Sequence, residues 1–206
     1  MTDSDDEVPT LPSDTLEILR QFQEEQQRIA EEIVTEDWQL SQFWYSPETA
    51  RQLCREVVDA LRGKGRIACI SCPTLIQYFP EIEQYDRDTV SVSLFEYDAR
   101  FAKKFPSEYI FYDYRHPLAI PQELKGVYDV VIADPPFLSD ECLLKTAQSV
   151  RFLAKPDARI LLCTGTIMEQ KAERLLGLHR LNYEPCHANN LSNEFSCFAN
   201  YETKFL

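Results

Sequence analysis

The amino-acid sequence predicts an α/β fold: a mostly parallel sheet of seven strands with helices on both faces, preceded by a helical extension. Three observations predict it. From about Trp38 onward, apolar β-branched runs alternate with segments of helical periodicity, the pattern of a parallel sheet covered on both faces. The run Asp129-Val130-Val131-Ile132-Ala133 has no polar alternate, as a strand buried on both faces requires. The chain then closes on two strand-like runs, about 180–186 and 195–201, joined by the polar turn His187-Ala188-Asn189-Asn190, which reads as a terminal antiparallel hairpin.

In chain order, residues 1–12 are acidic and proline-containing and are predicted to be a disordered tail. Ser13 or Asp14 caps a predicted helix reaching about Val34, with Leu16, Leu19, Phe22 and Ile29 as a broken apolar stripe. Residues 13–37 thus form the extension, and 38–206 the main domain. Ser46 caps the next helix, Pro47 takes its first position, and Gly63 ends it. That helix buries Ala50, Leu53, Cys54, Val57, Val58 and Leu61. Strands are predicted at 66–71, 90–96, 108–112, 127–133 and 158–164. Short helices fit 74–79 and 98–104, and fuller ones 139–154 and 167–177. Ser139 caps the third, where Asp140 and Glu141 favour the positive end of the helix dipole.

Composition narrows the function. A chain of 206 residues is long enough for one domain with a full core. No apolar run approaches the ~20 residues of a membrane span. The start, Met1-Thr2-Asp3-Ser4-Asp5-Asp6-Glu7, has neither the cationic nor the apolar region of a signal peptide, which predicts a cytoplasmic or nuclear location. Seven cysteines without framework spacing suit a reducing compartment, and Cys69-Ile70-Ser71-Cys72 lacks the second pair a zinc site needs, so no metal is expected. Thirty-four acids against 21 bases give a net charge of −13. Nucleic-acid binders rely on Lys and Arg to neutralise phosphates, so nucleic acid is an unlikely partner and a basic protein a better one.

The chemistry points to Asp134-Pro135-Pro136-Phe137. Asp134 falls at a strand's carboxyl end, where open α/β sheets place their ligands. The prolines lack N–H groups and hold nearby carbonyl oxygens outward beside the carboxylate, while Phe137 adds a flat apolar face. Acceptors beside an aromatic platform suit an amine, gripped by its N–H groups while its lone pair points elsewhere. The alternative is a strand-ending turn with no chemistry. The tetrapeptide resembles the Asp/Asn/Ser-Pro-Pro-Tyr/Phe/Trp signature of class I, S-adenosylmethionine-dependent amino-group methyltransferases. That resemblance implies a Rossmann-like sheet of order 3-2-1-4-5-7-6 with strand seven antiparallel.

The cofactor site is expected at the neighbouring strand ends. Glu96 ends the second strand and can accept from both ribose hydroxyls, with Asp98 as the alternative acid. The family pattern implies that Asp113, after strand three, accepts from the adenine amino group. Ile70-Ser71-Cys72-Pro73-Thr74 replaces the usual Gly-x-Gly loop, so Ser71 or Thr74 would contribute hydroxyl contacts. The absent glycines also exclude ordinary NAD binding. Phe43, Trp44 and Tyr45 precede the first strand, where they would either cover the sulfonium with electron-rich rings or staple the segment to the core.

Local chemistry leaves the amine open between adenine and lysine. A lysine must lose its proton, at a cost of about 4.6 kcal/mol at pH 7. Taken together, Trp38-Gln39-Leu40-Ser41-Gln42-Phe43-Trp44-Tyr45-Ser46, Phe95-Glu96-Tyr97-Asp98, Phe111-Tyr112-Asp113-Tyr114, Ile132-Ala133-Asp134-Pro135-Pro136 and Asn193-Glu194-Phe195 resemble the eukaryotic elongation factor 1-alpha lysine methyltransferase family. This implies cytoplasmic protein-lysine N-methylation with elongation factor 1-alpha as substrate. An adenine N6-methyltransferase and a catalytically silent interaction protein are the alternatives.

Overall fold

In the computed structural model, residue 20 and residues 34–37, 42–189 and 194–206 are described. The tail at 1–12, most of the helix expected over 13–34, and Trp38 to Ser41 lie outside them. Glu36–Leu206 forms one compact unit.

Helix α1 spans Pro47–Leu61. The Ser46 hydroxyl accepts from the Thr49 amide at 3.2 Å, and Pro47 occupies the first turn, where its missing N–H costs nothing. The helix ends on Arg62, which itself takes the left-handed conformation (φ 57°) one residue before the expected glycine stop. Strands β1 (Gly65–Ile70), β2 (Val90–Glu96), β3 (Tyr109–Phe111), β4 (Tyr128–Ala133), β5 (Ala154–Gly165), β6 (His179–Arg180) and β7 (Phe195–Ala199) form one sheet of order β3-β2-β1-β4-β5-β7-β6. The first five run parallel, while β7 is antiparallel to both β5 and β6. The expected order is therefore the observed one.

Helix α2 (Arg100–Lys104) follows β2. Helix α3 (Asp140–Leu153) begins at the Ser139 cap, whose hydroxyl accepts from the Cys142 amide. It leads without a loop into β5, which therefore begins four residues earlier than the sequence pattern suggests. Helix α4 (Glu169–Leu176) is preceded by a 3-10 turn at Thr166–Met168 and ends on left-handed Gly177. Beneath α3 and α4, one face of the sheet buries Ile70, Phe95, Val131, Leu162 and Phe198 together with Leu143, Val150 and Ala172. On α1, Leu53, Cys54 and Val57 are fully buried.

Two expectations are corrected. The helix at 74–79 is instead a pair of 3-10 turns, Pro73–Gln77 and Phe79–Glu81. Each begins at or near a proline, and Pro80 cannot donate an interior helical bond. The first hairpin strand shrinks from 180–186 to His179–Arg180. Beyond it the chain keeps only irregular bonds to β7, Leu181 N to Cys197 O at 2.8 Å and Cys197 N to Tyr183 O at 3.4 Å.

Candidate active site

A cavity of about 500 Å³ opens at the carboxyl ends of β1 to β4. It lies where strand order reverses about β1, the crevice in which open α/β sheets bind ligands. Backbone pairing continues one residue beyond the strands. Ser71 N donates to Phe95 O, Tyr112 N to Glu96 O and Asp134 N to Ile70 O, all at 2.9–3.0 Å. The crevice lip is therefore fixed, and its side chains start from a rigid frame.

Glu96 is 6% exposed, and its Oε1 accepts the Asp98 amide at 3.0 Å. Burial pushes its carboxyl up to about 7, against the opposing pull of backbone amides and Arg100. Asp134 is half-buried, and its Oδ2 accepts the Tyr45 hydroxyl at 2.6 Å. Burial pushes this carboxyl up to about 7 as well. The Tyr45 bond pulls it down, and the charge of Glu96 raises it further. No hydrogen bond to the carbonyls of Asp134, Pro135 or Pro136 is found among the described residues. The cavity thus combines one buried and one half-buried acid with backbone carbonyls that no described residue engages.

The other predicted residues divide. Ser71, Thr74, Phe43, Trp44, Tyr45, Asp113, Pro135, Pro136 and Phe137 all line the cavity. Ser71 has φ 56°, so a serine makes the left-handed bend that glycine would otherwise make in this loop. Trp44 faces the cavity and also sets its ring edge-on to Phe101 of α2, with centroids 5.9 Å apart. Both readings of the aromatic segment thus have a geometric basis. Arg115 grips both oxygens of Asp113 at 2.7–3.0 Å and holds its carboxyl below the usual range. Asp98 is absent from the lining. Burial works against its ionisation, but bonds from Arg100 and Gln42 outweigh it and keep the carboxyl below its ordinary value. Its acceptors are spent on fixing Gln42 and Arg100.

Several lining residues escape sequence reasoning. Tyr114 stands 5.7 Å from Phe137, a ring 40% exposed at the mouth. On another side His187 packs between Tyr45 (5.1 Å) and Phe195 (4.9 Å). The sequence shows His187 only as a turn residue. It enters the site because residues 44–46 and 186–188 pair, Ser46 N to Cys186 O at 2.9 Å and Ala188 N to Trp44 O at 2.7 Å. Burial lowers the His187 pKa, against the opposing charge of Glu36.

These residues fit S-adenosylmethionine, whose ribose hydroxyls would suit a carboxylate acceptor and whose sulfonium would suit acidic and aromatic walls. The sheet order, the antiparallel β7 and the acids at the strand ends define a class I, S-adenosylmethionine-dependent methyltransferase. A family model described as probable N6-adenine methyltransferase matches residues 36–203. The chain is 53% identical to a protein-lysine N-methyltransferase of Caenorhabditis elegans, over 98% of each chain. It is 45% identical to EEF1A lysine methyltransferase 1 of Mus musculus and of Homo sapiens, over 97% of this chain and 95% of theirs. The chain belongs to this methyltransferase family.

Proposed function

We propose that the protein transfers a methyl group from S-adenosylmethionine to a lysine of translation elongation factor 1-alpha in the cytoplasm. The similarity of nearly the whole chain to enzymes named for that substrate carries the reading. An acidic, aromatic-walled crevice supports it, since a lysine offers a cation on an apolar stem.

Bound S-adenosylmethionine supplies an activated methyl. Glu96 would bind the ribose hydroxyls. Asp113 stays close to the adenine end, with Arg115 competing for its acceptors. Ser71 and Thr74 hold the methionine end beneath Phe43 and Trp44. Asp134 and the Pro135 carbonyl orient the lysine nitrogen, Pro136 stiffens the turn, and Phe137 walls the stem. Burial and the charge of Glu96 raise the Asp134 carboxyl to about 7 in the empty site, and an entering ammonium would favour its ionised form as the acceptor that orients the nitrogen. The remaining work is positioning. Among the described residues no helix is long and apolar enough to cross a membrane.

Incubating the protein with methyl-labelled cofactor and cell extract tests the assignment. Label that survives nuclease, is lost to protease, and reappears on purified elongation factor 1-alpha is expected. Label confined to nucleic acid would instead support adenine methylation. With a net charge of −13, encounter with a basic protein should slow as salt rises. A salt-independent kcat/KM would remove the steering argument.

A further inference from the structure

We infer that Tyr45 is a positioning residue for methyl transfer, which locks the Asp134 carboxylate so that one defined oxygen faces the substrate amine. The inference rests on the lysine reading above and assigns Tyr45 to the acid rather than to the cofactor.

The geometry is specific. Tyr45 is 3% exposed, and its hydroxyl lies 2.6 Å from Asp134 Oδ2 across 89 residues of sequence. Burial, followed by the charge of Asp134, pushes the phenol pKa well above its ordinary value, so the hydroxyl keeps its proton and donates it. With Oδ2 taken, Oδ1 is the oxygen left for the amine. A carboxylate held on one oxygen cannot spin freely about its Cβ–Cγ bond, and orientation of this kind is what a positioning-dominated reaction needs.

The phenol is itself held from several directions. Its backbone bridges His187, between the two hydrogen bonds that flank it. Its ring lies against the His187 imidazole, which in turn meets Phe195 edge-on. Glu36 ties both sides of this roof together, accepting from Trp44 N at 2.7 Å and from Asn189 Nδ2 at 2.5 Å. A ring needed only to cover a cofactor would not require its hydroxyl to meet the carboxylate of the amine-binding motif.

Tyr45→Phe keeps the ring and removes the bond. We expect turnover to fall by about tenfold or more, the range for a charge-assisted hydrogen bond, with cofactor affinity by calorimetry within twofold. The acid limb of the pH–rate profile should move to higher pH, because the Asp134 carboxyl loses a donor that favours its ionised form. In an Asp134→Asn background the same substitution should change turnover no further. A carboxyl carbon NMR titration of the cofactor-free protein reads the Tyr45–Asp134 link without any substrate, so it stays informative even if the lysine assignment fails. An unmoved Asp134 titration overturns the inference, as does unchanged turnover. So does a loss of cofactor affinity parallel to the loss of turnover, which would return Tyr45 to the cofactor.

Discussion

Asp129 and Asp134 lie at opposite ends of β4, six positions of one hydrophobic strand between a scaffold and a site. At the amino end, Asp129 accepts the Arg66 amide at 2.9 Å and the Lys155 ammonium at 2.5 Å. Even Gly65 is shaped around it, since a Cβ there would come within 2.5 Å of Asp129 Oδ2. At the carboxyl end, Asp134 meets one hydroxyl, no cation among the described residues, and the charge of Glu96. Both are partly buried aspartates. What separates them is unspent acceptor capacity: the first is consumed by the fold, and the second is kept for a ligand.

The largest expected effect breaks that contrast directly. Asp134→Ala should cut turnover by orders of magnitude while cofactor affinity stays within a few fold. Asp129→Ala should do the reverse, keeping turnover and costing ~1–3 kcal/mol of stability through the orphaned Arg66 amide and Lys155. That corresponds to a fall in melting temperature of about 2–4 °C per kcal/mol. Full activity in Asp134→Ala would move the chemistry elsewhere.

Next in size is cofactor binding. Glu96→Ala should weaken S-adenosylmethionine by roughly 1.5–3 kcal/mol in calorimetry, as for loss of a charged acceptor. Asp113→Ala should cost less, since Arg115 already occupies both its oxygens. If Asp98→Ala proves the more damaging, the ribose acid has been misassigned.

Trp44→Ala and Phe43→Ala sharpen the reading of the aromatic roof. Trp44 packs on Phe101 as well as facing the cavity, so its loss should lower both melting temperature and cofactor affinity. Phe43→Ala should lower affinity alone. Two variants that melt far below wild type at saturating cofactor would reduce the segment to a staple.

The smallest effect is a gain. Glu96 has its carboxyl raised from 4.5 to about 7, so the folded state holds that proton more tightly than the unfolded state. Stability is therefore lost as pH rises from the lower value through the upper one, and the penalty is fully present above it. In the absence of cofactor, Glu96→Gln should melt higher than wild type at about pH 8, by a few degrees for ~1–2 kcal/mol. Near the lower value the two should converge. Saturating S-adenosylmethionine should reverse the order at about pH 8, because only the carboxylate offers the charged acceptor.

Helix starts were legible because capping is local: Ser46 and Ser139 each accept from an amide three residues on. Strand positions were legible from apolar runs, and the strand-end acids followed from them. Less was legible where a bond partner is distant. Asp98 and Glu96 are two residues apart and look equivalent in sequence, yet Gln42 and Arg100 consume one while the other faces the cavity. Asp113 lines the site as expected, but Arg115 two residues on takes its acceptors. Nothing in the polar stretch around His187 announced that its ring would back Tyr45.

By itself the sequence determined the sheet, its strand order through a family resemblance, and the acids and aromatics available at one edge. The sheet and its edge residues follow from periodicity and capping over a few residues, and the order from the resemblance alone. The tertiary structure decided which acids remain open and how they are held. The bond from Tyr45 to Asp134 spans 89 positions, and the roof that carries it depends on pairing of residues 44–46 with 186–188. Such contacts form only when the whole sheet brings its ends together, and no local pattern encodes which partner arrives.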